Sequence, residues 1–267
     1  MAHLFIKQAK AYAKTRPTYP PELFRFIASK TRSYDLVWDV GTGNGQAIPP
    51  LAEMFKNVVA TDTSSKQLEF APKLPNVKYH LTPHNLSIDQ IHQNIGPKST
   101  VDLVTIAQAL HWFDPAKFYD QVKYVLKKPN GVIAAWCYTT PLVDPNMDSV
   151  FEQFYRVNLG PFWEEERKFV ETGYIDLDFP FKPVNKSGHT GPYEFEAHKV
   201  MSLEDFVTYI QSLSAYINAK ENGVELLTDE VLEEFKHAWN YGNGTNWGSD
   251  EKLVKFPIYL RIGKVGN

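Results

Sequence analysis

The sequence predicts an α/β fold built on a mostly parallel sheet with crossover helices. Through the first 140 residues, short apolar runs alternate with segments of helical spacing. A glycine-rich turn directly follows the first of those runs. No internal repeat or low-complexity block interrupts the pattern. The 267 residues suit one large domain with an insertion, long enough to bury a core without disulfides or metals.

Each element has its own signal. Leu23, Phe24, Phe26 and Ile27 mark a helix over 21–30. Leu36-Val37-Trp38 is the first strand, Val58-Val59-Ala60 the second, Val77-Lys78-Tyr79 the third and Val101 to Ala107 a buried fourth. Phe118, Val122, Val125 and Leu126 recur at helical spacing, and Val132 to Trp136 form a fifth strand after the Pro129-Asn130-Gly131 turn. Residues 140–200 read as an irregular, proline-rich and aromatic insertion over one end of the sheet. Its aromatic side chains are expected mainly in the core. Ser202 with Asp205 opens a helix through Leu213, Thr228 starts another ending near Trp239, and Phe256 to Ile262 is the last strand.

Composition removes several classes of function. The 28 basic and 31 acidic residues give a net charge of −3, and the longest basic run is Lys127-Lys128, so no nucleic-acid partner is expected. The single cysteine, Cys137, excludes an internal disulfide and reads as a buried small hydrophobe. No apolar run approaches the roughly 18 residues of a membrane span. Lys7, Lys10, Lys14 and Arg16 precede the first acid, Glu22, a weak presequence pattern that Pro17, Pro20 and Pro21 interrupt; the expected location is the cytoplasm. The sequons at Asn85, Asn185 and Asn243 are chance matches in that setting. His80 and His84 lack a third ligand, so no metal is expected.

The chemistry concentrates at Asp39-Val40-Gly41-Thr42-Gly43-Asn44-Gly45, between a strand and a helix. Glycines there let a ligand approach the backbone, and a helix start offers unpaired N–H groups. Asp62 ends the second strand, where a carboxylate can accept from both ribose hydroxyls. A dinucleotide fingerprint would need a further glycine at Gln46 or Ile48, so a nicotinamide dehydrogenase is disfavoured. Pro49-Pro50 requires the following helix to begin late or to kink.

Four blocks, Tyr12 to Pro20, Asp39 to Gln46, Ala60 to Ser64 and Ala107 to Asp114, together resemble a class I S-adenosylmethionine-dependent methyltransferase. The branch is similar to trans-aconitate methyltransferase and its plant embryo-abundant relatives, and FPIYLRIGK from Phe256 is also similar. The resemblance implies a Rossmann-like, seven-stranded sheet with helices on both faces and an inserted cap. It implies a single domain: residues 1–30 as lid, 31–139 as cofactor-binding core, 140–200 as cap, and 201–267 as carboxyl-terminal helices and last strand. It implies S-adenosylmethionine as cofactor and S-adenosylhomocysteine as product. Asp39, Gly41, Gly43, Asp62, Thr63 and Gln108 would hold it, His84-Asn85 would lie near the adenine where relatives often carry an acid, and Tyr12 and Arg16 would close as a lid. Tyr19, His111, Trp112, Trp136, Tyr138 and Trp163 are the candidate substrate residues.

A carboxylate acceptor is ionised at neutral pH and needs only a clamp, for which Arg16, Arg156 and Arg167 are candidates; Arg156 and Arg167 read first as surface ion-pair residues. A phenol or amine would want a base, and His111, just past the fourth strand, is the candidate; it reads equally well as a packing or capping histidine. The expectation is methyl transfer to a small molecule, at a carboxylate oxygen, by a monomer or homodimer. N- or C-methylation, and binding of S-adenosylmethionine without turnover, are the alternatives.

Overall fold

The computed structural model describes residues 16–185, 188–240 and 251–266. In chain order its elements are α1 (Pro21–Lys30), β1 (Leu36–Val40), α2 (Ile48–Met54), β2 (Asn57–Asp62), α3 (Ser65–Phe70), β3 (Val77–Leu81), α4 (Ile88–Asn94), β4 (Leu103–Ala107), α5 (Pro115–Val125) and β5 (Val132–Tyr138). There follow α6 (Pro145–Gln153), α7 (Arg167–Glu171), β6 (Tyr193–Met201), α8 (Leu203–Gln211), α9 (Ser214–Glu221), α10 (Asp229–Asn240) and β7 (Lys252–Lys264).

The seven strands lie in the order β3-β2-β1-β4-β5-β7-β6. Strands β1 to β5 pair in parallel and β7 runs antiparallel to β5, from Val132 opposite Lys264 to Tyr138 opposite Ile258. Parallel strands need helical crossovers, which bury both faces, and β5 is buried at every position. One face carries Trp38, Val40, Val104, Ile106, Ile133, Ala135 and Cys137 against Ile91 of α4 and Phe118, Val122 and Val125 of α5. The alternate residues face the other way, where Phe24 of α1 meets Trp136 edge to face at 6.0 Å. Strand order reverses between β1 and β4, so their carboxyl ends open a crevice at a topological switch point.

Local chemistry explains the boundaries. Pro49 and Pro50 sit in the first turn of α2, which begins late, at Ile48, and needs no kink. Asp114 caps α5 ahead of Pro115, accepting from the Ala116 and Lys117 amides. At the amino edge of the sheet, Asp102 accepts from the amides of Asp35 (2.8 Å) and Leu36 (2.9 Å) and pairs with Lys127 at 2.6 Å. Its burial is thereby compensated, and the loops entering β1 and β4 are tied together.

The chain groups into two compact units. One, Tyr19–Thr139 with Lys168–Phe195 and Pro257–Asn267, carries the five parallel strands. The other includes Thr140–Arg167 and Glu196–Phe256, and its core is aromatic: Phe151 meets Phe206 at 5.2 Å, Phe206 meets Trp239 at 5.7 Å and Tyr209 meets Phe256 at 5.5 Å. The expected 140–200 insertion is therefore divided, with residues 168–195 grouped with the sheet. That stretch is irregular only in part. It contains α6, capped by Asp144, and most of β6, whose Tyr-Glu-Phe-Glu-Ala alternation has the period of a strand. The helix expected to run through Leu213 ends at Gln211, and α9 starts at Ser214.

Candidate functional site

The parallel strands end at one edge, and the loops leaving them converge there. The turn after β1 needs glycine: Gly41, Gly43 and Gly45 all have positive φ, at 62°, 57° and 80°. At Gly41 a Cβ would lie 2.8 Å from the Ala109 Cβ, so the turn packs directly on the loop after β4. At Gly43 a Cβ would meet nothing within 4 Å. That side of the turn is open.

Asp62 closes the turn from β2. Its Oδ2 accepts from the Gly43 amide and its Oδ1 from the Ser64 amide, both at 2.8 Å. Ser64 in turn caps α3 by accepting from the Gln67 amide. The carboxylate thus has a structural task in addition to any ligand: it fixes the glycine turn against the second strand.

Asp39 lies beneath the turn, 1% exposed. Burial pushes its carboxyl up to about 6, against the Thr105 hydroxyl that donates to Oδ1 at 2.6 Å, and the charge of Asp62 adds to the rise. Because the folded chain holds this proton more tightly than the unfolded chain, Asp39 stabilises the fold fully below pH 3.8 and loses that contribution as pH rises through about 6. A bound cation favours the ionised form. The affinity ratio of a sulfonium ligand to its neutral thioether should therefore rise between pH 5 and pH 7, and calorimetric titrations across that range should show it.

Around these groups is a cavity of about 530 Å³, inside the range that holds small ligands. Of the candidate site residues, Gly41, Gly43, Asp62, Thr63, His84, Gln108 and Trp112 line it. Thr82, Pro83, Leu86, Phe113, Phe118 and Gln121 also line it. Of those, Phe113 falls in the Ala107–Asp114 block and Phe118 in the helical period of α5, Pro83 and Leu86 flank the His84-Asn85 pair, and Thr82 and Gln121 carry no signal in the sequence. Gln108 is the one non-glycine at the cavity with left-handed backbone, φ 54°. Its Nε2 donates to the Tyr138 carbonyl at 3.1 Å, while its Oε1 is buried without a partner. A buried acceptor left open in this way is suited to a donor on a ligand.

Other expected site residues are elsewhere. His111 does not line the cavity; its Nδ1 lies 2.9 Å from the Tyr174 hydroxyl and its ring 4.6 Å from that of Trp112. Tyr19 and Trp136 pack edge to face at 5.4 Å within the sheet unit, Tyr138 offers its carbonyl to Gln108, and Asn85 is exposed. Neither these four nor Asp39 lines the cavity. In the other unit, Arg16 donates to the Ser212 carbonyl at 2.7 Å and stacks on Tyr209, and Arg167 lies over Trp163 at 4.6 Å and donates to the Tyr155 hydroxyl. Arg156 forms an exposed pair with Glu152. Tyr12 lies outside the described residues.

The residues present fit S-adenosylmethionine. The open face at Gly43 admits a ligand against the backbone, the Asp62 carboxylate suits a diol, and Gln108 Oε1 is an acceptor without a donor. Gly43→Ala fills that open face and places a Cβ at φ 57°. It should weaken S-adenosylhomocysteine binding about tenfold or more while costing only about 1 kcal/mol of stability, read by calorimetry and thermal melting.

The chain is similar to known methyltransferases. Residues 38–135 match the family model described as a methyltransferase domain. A methyltransferase of Dictyostelium discoideum is 34% identical over 262 residues, 96% of this chain and 92% of the relative. An S-adenosylmethionine-dependent methyltransferase of Saccharomyces cerevisiae is 33% identical over 140 residues, 49% of this chain and 45% of that one. Among solved structures, a type II methyltransferase of Anaeromyxobacter dehalogenans superimposes with a TM-score of 0.77 at 31% identity, over 94% of this chain and 99% of its own.

Proposed function

The chain belongs to the S-adenosylmethionine-dependent methyltransferases, and from that premise we propose that it methylates a carboxylate oxygen of a small molecule. When bound, S-adenosylmethionine supplies a methyl group on a sulfonium sulfur, which keeps the bonding electron pair as the methyl leaves. In this reading Asp62 accepts from the ribose hydroxyls, Gln108 Oε1 accepts from a donor at the carboxyl end of β4, and Phe113, Phe118 and Leu86 keep water from the apolar end. Holding reacting groups in line supplies roughly 7–11 kcal/mol of a displacement barrier, so positioning is the main demand on the protein.

The observation that carries the carboxylate is the placement of His111. The candidate base lies against Tyr174 and does not line the cavity. An acceptor that arrives ionised needs no proton removed, whereas a phenol or amine usually does. The resemblance of the four sequence blocks to the trans-aconitate branch supports the same acceptor class, and a cytoplasmic location belongs to this reading.

The test uses S-adenosylmethionine labelled in its methyl group with fractions of a metabolite extract. Label should enter a small acid and be released as methanol by mild alkali, as a methyl ester requires. Label that survives alkali would place the methyl on nitrogen, carbon or a phenol oxygen instead, and binding without any transfer would leave a cofactor-binding protein.

A further inference from the structure

The cavity carries a polar group that neither the glycine turn nor Asp62 uses. Gln121 lies one helical turn beyond Phe118 on α5, so the two side chains share a face, and both line the cavity. Its Nε2 donates to the Leu86 carbonyl at 2.9 Å. That bond sets which end of the carboxamide is which. Oε1 is left as an acceptor and receives no hydrogen bond among the described residues.

The surroundings define what could meet it. The His84 ring stacks on Phe113, 5.2 Å between centroids at 21°, and Phe113 meets Phe118 at 4.7 Å. With Leu86 and Pro83 these form a flat, largely apolar end to the cavity, suited to an aromatic base whose polar edge still needs partners. The 83–86 loop brings no carboxylate there.

We propose that Gln121 is a specificity residue for the cofactor, its Oε1 accepting from the exocyclic amine of a 6-aminopurine. This rests on the cavity being the S-adenosylmethionine site and adds the group that reads the base. An amine at position 6 donates to Oε1. A 6-oxo group sets two acceptors against each other, and a bare 6-position leaves Oε1 unsatisfied.

The experiment titrates three ligands by calorimetry: S-adenosylhomocysteine, its analogue lacking the 6-amino group, and its 6-oxo (inosine) analogue. The wild-type chain should prefer the amine about tenfold over the bare purine and more strongly still over the 6-oxo compound. Gln121→Met keeps the length and removes the acceptor, so the preference should fall to near unity. Gln121→Glu loses the donor to Leu86 but keeps an acceptor, and it should retain the preference for amine over oxo. A residue that only tied α5 to the Leu86 loop would make Glu as indiscriminate as Met.

An unchanged preference in the Met variant, or no preference in the wild type, overturns the assignment while leaving the cofactor site intact. Failure of the wild type to bind S-adenosylhomocysteine at all overturns the cavity reading and this assignment with it.

Discussion

Asp62→Ala should weaken S-adenosylhomocysteine binding by about 5- to 150-fold, the equivalent of about 1–3 kcal/mol for polar partners left unpaired. Two losses combine. The ribose hydroxyls lose their acceptor, and the amides of Gly43 and Ser64 lose the carboxylate that holds them at 2.8 Å. The second loss loosens the glycine turn that must face the ligand. Asp62→Asn keeps one acceptor oxygen, but its amide nitrogen opposes one of those two N–H donors. It should therefore fall between Ala and wild type. Calorimetric titration gives the affinity and a melting curve checks the fold. An Ala variant that melts normally and binds as wild type would place the ribose elsewhere.

Arg261→Ala should cost about 2–4 kcal/mol of stability and lower the Tm by roughly 5–15 °C. Arg261, on β7, is 9% exposed. Its Nη1 donates to the Tyr174 carbonyl at 2.6 Å and to those of Ile175 and Leu177 at 3.4 Å, and Nη2 donates to the Thr190 hydroxyl at 3.2 Å. The guanidinium also lies 4.9 Å from the Phe179 ring centroid. It is the hub of a loop with no regular hydrogen-bond ladder, where Gly173 and Tyr174 both have left-handed backbone. Lysine should rescue little, because one ammonium cannot span carbonyls and hydroxyl as a planar fork does. Because the Tyr174 hydroxyl meets His111, the variant should also change the environment of that histidine in NMR spectra. A variant with unchanged Tm would show that the loop is held by its aromatic packing instead.

The parts of the molecule legible from sequence are those with a strong local period or obligatory residue. Strands β1, β2, β4 and β5 each contain a short apolar run, and the turn at 41–45 needs glycine at three positive-φ positions, so both appear in composition and spacing. Asp62 followed from its register at the end of β2. The short helices α3 and α4 escaped notice because six or seven residues carry too little periodicity, even though Ser87 and Gln90 form a full capping box before α4. The strand β6 was hidden by the prolines before it, despite its clean alternation.

The part of the cavity around Leu86 could not be read in the same way. Phe113, Phe118 and Gln121 meet Leu86 only through the crossover between β3 and β4, a tertiary event with no mark in local sequence. The place of His111 after β4 suits either a base or a packing histidine. The short 3₁₀ turn Leu110–Trp112, however, puts its ring on Tyr174, 63 residues later in the chain.

A crystal structure of the chain with S-adenosylhomocysteine tests the central claim most directly. The ribose hydroxyls should lie within hydrogen-bond distance of the Asp62 carboxylate, with the ligand passing over Gly43 and its base between the 83–86 loop and α5. Density for the ligand anywhere else, or a Gly43 face still open beside a bound ligand, would contradict the site described above.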